Sequence, residues 1–226
     1  MTRLERGAFP RSSTAWRVVA AWLLTFSFTL AAAWMASALF SFQLHQIDTF
    51  ARALASSLGA ASAGWWRAVT LLGASYVLWP LVLAIGLALL RSGRRGDALL
   101  LFQAMGGALL LEQTLKLVLH RARPAALWGD ALPSTYSFPS GHALFTATLC
   151  LVLAWIATRR RPIGFTIGVW IAAILVPVAV GASRVGLGMH YATDVIGGYA
   201  TAVLWLMTLR IARRRSAARS PGTVRA

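Results

Sequence analysis

Apolar residues run along the chain in six long stretches, at about Trp16–Phe40, Ala68–Leu90, Ala98–Leu119, Ala143–Thr158, Ile163–Ala182 and Tyr191–Leu209. The first three are each about 22 residues, long enough as helix to cross a hydrocarbon core of ~30 Å. The fourth is shorter, and Pro177 is expected to kink the fifth near its outer end. Trp16–Phe40 is too long for the apolar region of a cleaved leader and has no small-residue cleavage site after it. The pattern predicts an all-α fold, a polytopic membrane bundle of six transmembrane helices. Between the first two stretches, Ile47, Phe50, Leu54 and Leu58 recur at helical spacing, followed by Trp65 and Trp66. An amphipathic helix lying in the headgroup region fits that spacing, and so does a loop packed on its own protein. No internal repeat is visible, and the only low-complexity segment is the basic tail.

Composition agrees with a bilayer setting. The chain is 58% hydrophobic and 12% charged, where a soluble domain carries about a quarter charged residues. A net charge of +16 would point to nucleic acid in a soluble protein, but here the arginines sit in short clusters between apolar stretches. Arg3, Arg6, Arg11 and Arg17 precede the first stretch, and Arg91, Arg94 and Arg95 follow the second. Arg159, Arg160 and Arg161 follow the fourth, and Arg213, Arg214, Arg215 and Arg219 form the tail. With six crossings all four clusters fall on one side. The positive-inside rule makes that side cytoplasmic, with both termini inside, in a multi-pass protein of the cell's inner membrane. Nucleic acid is excluded as a partner on the same ground. Cys150 is the sole cysteine, so no disulfide framework exists.

One group of cations breaks the rule. Lys116, Arg121, Arg123 and Arg184 lie at the outer ends of the third and fifth stretches, with His120, His142 and His190 nearby. Cations near the hydrocarbon edge on the disfavoured side call for an anion. Phosphate suits them, since arginine meets its oxygens two at a time and lysine adds a point charge. Lys116 is the only lysine in a chain with 22 Lys+Arg, which singles out its position.

Three segments carry the chemistry. Lys116 and Arg123 are seven residues apart, with Pro124 next; only the first part of that interval is safely helical, because the proline biases Arg123 toward extended backbone. Pro139-Ser140-Gly141-His142 opens the fourth stretch. Ser140 is a plausible N-cap, Gly141 allows close backbone approach, and the free N–H groups of a helix start form an anion cradle. Ser183-Arg184 ends the fifth stretch, and His190 and Asp194 stand four apart at the start of the sixth. Neighbours at that spacing share a helix face. A carboxylate on one imidazole nitrogen then leaves the other as a free lone pair, which is what a histidine nucleophile needs.

Lys116-x6-Arg123-Pro124, Pro139-Ser140-Gly141-His142 and Ser183-Arg184-x5-His190-x3-Asp194 together resemble the three motifs of the type 2 phosphatidic acid phosphatase superfamily, position for position and in order. The motifs occupy 116–194, within one membrane-embedded domain covering 1–226 whose basic tails, 1–15 and 212–226, are expected to be cytoplasmic. The resemblance implies that His190 attacks phosphorus while Asp194 orients it. It also implies that His142 protonates the leaving alkoxide and then helps activate water. Lys116, Arg123, Ser140, Gly141 and Arg184 would bind phosphate oxygens. The implied enzyme hydrolyses a phosphomonoester or diphosphate of a lipid or isoprenoid at the outer membrane face. A lipid phosphotransferase using the same site, or a non-catalytic transporter or scaffold, are the alternatives.

No cofactor is expected, and no metal: two-metal phosphatases need several carboxylates around their ions, and only Asp194 lies within the motifs. Similarity of the motifs to those of vanadium haloperoxidases marks vanadate as an inhibitor. Outside the motifs, Glu112 lies one turn before Lys116, where it either holds the lysine or merely neutralises it. His120 and Arg121 are placed to touch a second phosphate but read more readily as exposed loop residues, and His45 and Asp48 read as interfacial ones. Trp128, Asp130, Tyr136 and Phe138 belong to a loop that shapes access for the lipid. Membrane lipids are the surrounding partners, and oligomeric state is not readable.

Overall fold

The structure, a computed structural model, describes residues 13–217. Most of both basic tails, with Arg3, Arg6, Arg11 and Arg219, lies outside the described residues, as do the side chains of Arg214 and Arg215. The described residues form seven α-helices and no strand. Helix α1 (Ser13–Ser57) is one run of 45 residues broken by non-helical backbone at Phe40 (φ −125°, ψ 24°). The spanning part therefore ends where the apolar stretch ends, and a second helix follows at 41–57. That helix carries Ile47, Phe50 and Leu54 exposed, with Phe50 71% accessible, while Asp48 and Ala55 are buried against the protein. A polar contact inward and an apolar stripe outward is the arrangement of a helix lying in the headgroup layer.

The second stretch departs from expectation. The span expected at Ala68–Leu90 is two helices, α2 (Ala63–Thr70) and α3 (Ser75–Arg91), separated by a 3-10 turn at Leu71–Gly73 and by extended Ala74 (φ −70°, ψ 138°). The cause is tertiary. Gly73 is pressed so closely onto α5 and α6 that a Cβ there would stand 2.5 Å from Val180 Cγ1 and 3.0 Å from His142 Cδ2. Hydropathy measures preference for lipid, not helix continuity, so an unbroken apolar run conceals such a break. The whole segment Ala60–Arg91 is still long and apolar enough to cross a membrane.

The other four apolar stretches each form one helix: α4 (Arg95–Leu119), α5 (Gly141–Ala157), α6 (Ile163–Gly186) and α7 (Ala192–Ala217). Helix α6 stays continuous through Pro177 and extends one turn past Ala182, so Arg184 is helical. Among the described residues five segments meet the length and composition of a membrane span, and α5 is a shorter apolar helix packed among them. Half of the apolar window of α4 and of α7 is buried, against 11% in α1 and 17% in α6. Helices α4, α5 and α7 thus form the interior, and α1, α3 and α6 face lipid. Where α4 and α7 meet, Trp205 is fully buried and its indole N–H donates to the Ala104 carbonyl (2.8 Å). Leu101, Met105, Leu144 and Val152 fill the same core.

The arginines after α3 and α5 come together at one end. Asp97 accepts from Arg94 (2.8 Å) and Arg159 (2.5 Å), and Arg213 donates to the Gly96 carbonyl (3.0 Å).

Candidate active site

The opposite end holds the motif residues. Helix α4 stops at Leu119 because His120 adopts left-handed backbone (φ 47°), its N–H donating to the Lys116 carbonyl (3.1 Å). Lys116 is left on the last helical turn, buried and paired with Glu112 (2.8 Å). Glu112 therefore holds the lysine directly, and its other oxygen accepts from Gln113 (2.7 Å). Arg123 lies in the following loop and turns back toward the helices. Its Nε donates to the Thr135 carbonyl (2.7 Å), and one terminal nitrogen reaches both the Met189 carbonyl (2.9 Å) and His190 Nε2 (3.0 Å).

Ser140 is non-helical (φ −68°, ψ 112°) and precedes α5, its N–H donating to the Asp194 carbonyl (3.1 Å). Its hydroxyl makes no capping bond and is buried without a partner. Gly141 lets Glu112 lie close to the helix start: a Cβ there would stand 2.9 Å from Glu112 Oε1, so a side chain would push that carboxylate aside. His142 follows in the first turn of α5, backed by the 3-10 turn at Gly73.

His190 sits in the connection between α6 and α7, buried, and Asp194 in the first turn of α7 is fully buried. His190 Nδ1 lies 3.5 Å from Asp194 Oδ2 and 3.4 Å from Ser137 Oγ, while Ser137 donates to the same carboxylate oxygen at 2.5 Å. The dyad is thus mediated by a serine that local pattern did not reveal. The Asp194 oxygen also accepts the Tyr191 N–H (2.9 Å). With Nδ1 facing acceptors and Nε2 facing the Arg123 donor, the network favours the tautomer protonated at Nδ1. Burial pushes the His190 pKa down to about 4 against the opposing pull of Asp194, so the ring is neutral at neutral pH. Burial likewise lowers the Arg123 pKa, opposed by Asp194 and Glu112.

The eight residues expected to act on phosphate lie at this end, but their charges are unevenly matched. Lys116 has Glu112, whereas no carboxylate among the described residues lies within ion-pair distance of Arg123 or Arg184. Arg184 is 4% exposed; one terminal nitrogen donates to Thr70 Oγ (2.9 Å), and its Nε has no partner. Among the described residues, the buried side-chain nitrogen and oxygen atoms without partners are Ser140 Oγ, Arg184 Nε, Thr146 Oγ1 and Trp66 Nε1. Buried polar atoms are seldom left so, since each costs about 1–3 kcal/mol. An anion at this place would give the two motif donors acceptors. No group of three or more His, Cys, Asp or Glu among the described residues could hold a metal ion.

Two residues differ from expectation. Arg121 is no free loop residue: it forms ion pairs with Asp194 Oδ1 (2.6 Å) and Asp48 Oδ2 (2.7 Å). Asp48 is not merely interfacial but 6% exposed, accepting from Arg121 and from both the N–H and the hydroxyl of Thr193. Neither pairing has a local signature, because the partners are more than 70 residues apart. His120 is exposed, as expected of a loop residue, and lies edge-on to Tyr136; His45 is exposed as well. The loop at 125–138 is tied down by Trp128, which donates to the Gly186 carbonyl (2.8 Å), and by Asp130, which pairs with Arg67 (2.8 Å).

The profile of the PAP2 superfamily matches residues 97–216, which contain all three motifs. The chain belongs to that superfamily. It is 37% identical to phosphatidylglycerophosphatase B of Bacillus subtilis over 60% of this chain and 68% of the relative. It is 31% identical to an undecaprenyl-diphosphatase of Sulfolobus acidocaldarius, over 56% of this chain and 59% of the relative. A decaprenylphosphoryl-5-phosphoribose phosphatase of Mycolicibacterium smegmatis is 34% identical, over 66% of this chain and 70% of the relative. The fold is similar to the crystal structure of a transmembrane PAP2 type phosphatidylglycerolphosphate phosphatase from Bacillus subtilis. That match has a TM-score of 0.70 and 29% identity, and covers 91% of this chain and 100% of that one. In this PAP2 protein the motifs are carried by a multi-pass helical bundle.

Proposed function

We propose that this PAP2 protein hydrolyses the phosphomonoester or diphosphate of a lipid or isoprenoid substrate through a phosphohistidine formed on His190. The observation that carries the reading is the pairing of a neutral, oriented imidazole with two guanidiniums, the half-buried Arg123 and the buried Arg184, that have no carboxylate of their own. A phosphate between them supplies the missing negative charge and lies within reach of His190 Nε2. In the first step Nε2 bonds to phosphorus as the bond to the leaving oxygen breaks, and His142 gives that oxygen a proton. In the second, water attacks the phosphohistidine, His142 takes the water proton, and inorganic phosphate departs. Lys116, Arg123, Arg184, Ser140 and the Gly141 N–H hold the equatorial oxygens, where charge stabilisation dominates phosphoryl transfer. Asp194 keeps the imidazolium in register. No step needs a metal. The apolar, lipid-facing exteriors of α1 and α6 and the names of the relatives support a lipid-borne substrate.

The direct test is to trap labelled phosphoenzyme. His190→Ala abolishes both the label and turnover, a loss on the order of 10⁴-fold or more. His142→Ala slows both steps, and a nitrophenyl leaving group restores much of the first, because a good leaving group needs little protonation. Label persisting in His190→Ala, or equal rescue of both variants, refutes the assignment. Activity survives EDTA and falls with vanadate; loss in EDTA that Mg²⁺ reverses would overturn metal independence.

The site faces away from the cytoplasm on this reading, since the arginine-rich end lies at the other end of the bundle. With Cys150→Ala as background, Ser134→Cys in the exposed loop reacts with an impermeant thiol reagent on intact cells, and Arg160→Cys reacts only after the membrane is opened. The reverse pattern inverts the topology.

A further inference from the structure

The two oxygens of Asp194 have separate duties. Oδ2 serves the dyad, lying near His190 Nδ1 and accepting from Ser137 and Tyr191. Oδ1 is held by Arg121 NH1 at 2.6 Å, and the same nitrogen donates to Thr193 Oγ at 2.7 Å. The other terminal nitrogen, NH2, donates to Asp48 Oδ2 at 2.7 Å. The guanidinium is stacked on the Tyr191 ring, 4.3 Å from its centroid. Asp48 is on the helix at 41–57, and its Oδ1 accepts the Thr193 N–H (2.9 Å) in the first turn of α7. A carboxylate from the interfacial helix therefore seats the helix end that carries Asp194, an electrostatically favourable place for it.

We propose that Arg121, braced by Asp48, is a positioning residue for the catalytic dyad: it fixes Asp194, and through Asp194 the tautomer and direction of His190. The inference rests on the reading of His190 as nucleophile. Only arginine offers two terminal nitrogens in a rigid fork that can hold two carboxylates at once. Both nitrogens are already engaged by buried acids, so the charge of Arg121 is matched within the protein, whereas Arg123 and Arg184 have no carboxylate partner. The clamp also ties the nucleophile to the membrane surface. Ile47 and Phe50 flank Asp48 and are exposed on the outer side of the same helix, so displacement of that helix from the headgroup layer pulls on Asp48 and loosens the dyad.

The test uses the full-length purified protein with nitrophenyl phosphate, whose solubility separates chemistry from lipid capture. Loss of an outer partner typically costs about 10–100-fold, so Arg121→Gln lowers kcat by that much while KM and vanadate inhibition stay within about 3-fold. Arg121→Lys recovers part of kcat, because one ammonium reaches Asp194 but cannot bridge both acids. In an Asp194→Asn background, Arg121→Gln costs less than about 3-fold more, since residues acting as one unit are not additive. A loss confined to KM and vanadate affinity, or an additive loss in the double variant, overturns the proposal. Should Arg121→Gln fail to fold, Asp48→Asn replaces it, keeping an acceptor for the Thr193 N–H. It lowers kcat several-fold alone and not in the Asp194→Asn background; unchanged kcat overturns the clamp. His190→Ala is measured alongside. If it retains turnover, the nucleophile reading itself fails, whereas additive losses with an inactive His190→Ala defeat only the role of Arg121.

Discussion

Both ends of the bundle are rich in arginine, and the two use it in opposite ways. At the arginine-cluster end, Asp97 is shared by Arg94 and Arg159, whose side chains are 48% and 45% exposed. Water solvates such charges, so a pair contributes about 0–1 kcal/mol and its absence is tolerated. At the motif end, Lys116, Arg184, His190 and Asp194 are all buried, and a buried charge must have a partner. Glu112 serves Lys116, and Asp48 with Asp194 serves Arg121. Arg123 and Arg184 are left for something that the protein does not itself supply. Exposure, more than the number of arginines, separates a topological signal from a binding site.

Substitutions sharpen that contrast. The largest effect is expected at Arg184, where removal of a buried, preorganised donor lowers kcat/KM by about 10²–10³-fold in Arg184→Ala. Arg184→Lys restores little, because an ammonium cannot reproduce the fork that reaches both Thr70 and an anion. Near-normal kinetics in either variant would mean that burial has misled the comparison. A smaller effect is expected behind the site. Gly73→Ala pushes a methyl toward Val180, His142 and Thr146, overpacking that costs about 1–3 kcal/mol. Activity should fall by about 10-fold, with the loss greatest for substrates that rely on His142 for leaving-group protonation. Wild-type turnover with the same leaving-group dependence would show that the turn does not set the position of that histidine. The smallest effect belongs to the other end: Asp97→Asn shifts stability by no more than about 1 kcal/mol and leaves kcat/KM unchanged. A large loss there would erase the distinction between the two ends.

Much of this protein is legible from its sequence, for reasons that are local. Transfer of apolar side chains into lipid depends on composition over about 20 residues, so five of the six stretches fall within segments long and apolar enough to cross a membrane, and the first stretch ended where the backbone bends, at Phe40. Motif spacing was readable in part. The Ser140-Gly141 start of α5 opens a helix at the site; His190 does stand beside Asp194, but from the connection before α7, not from a shared helix face as its spacing suggested. What the chain did not disclose needed distant segments to meet. The break at Gly73 exists because α5 and α6 approach too closely for a side chain there. Ser137 enters the dyad, and Thr135 braces Arg123, only once their loop has folded back over α4. Arg121 and Asp48 looked like solvated loop and interface residues because nothing within a helical turn of either is its partner. The clamp they form joins three separated parts of the chain, and pairing of that kind is decided by packing in three dimensions, where burial removes water as the competing partner for each charge.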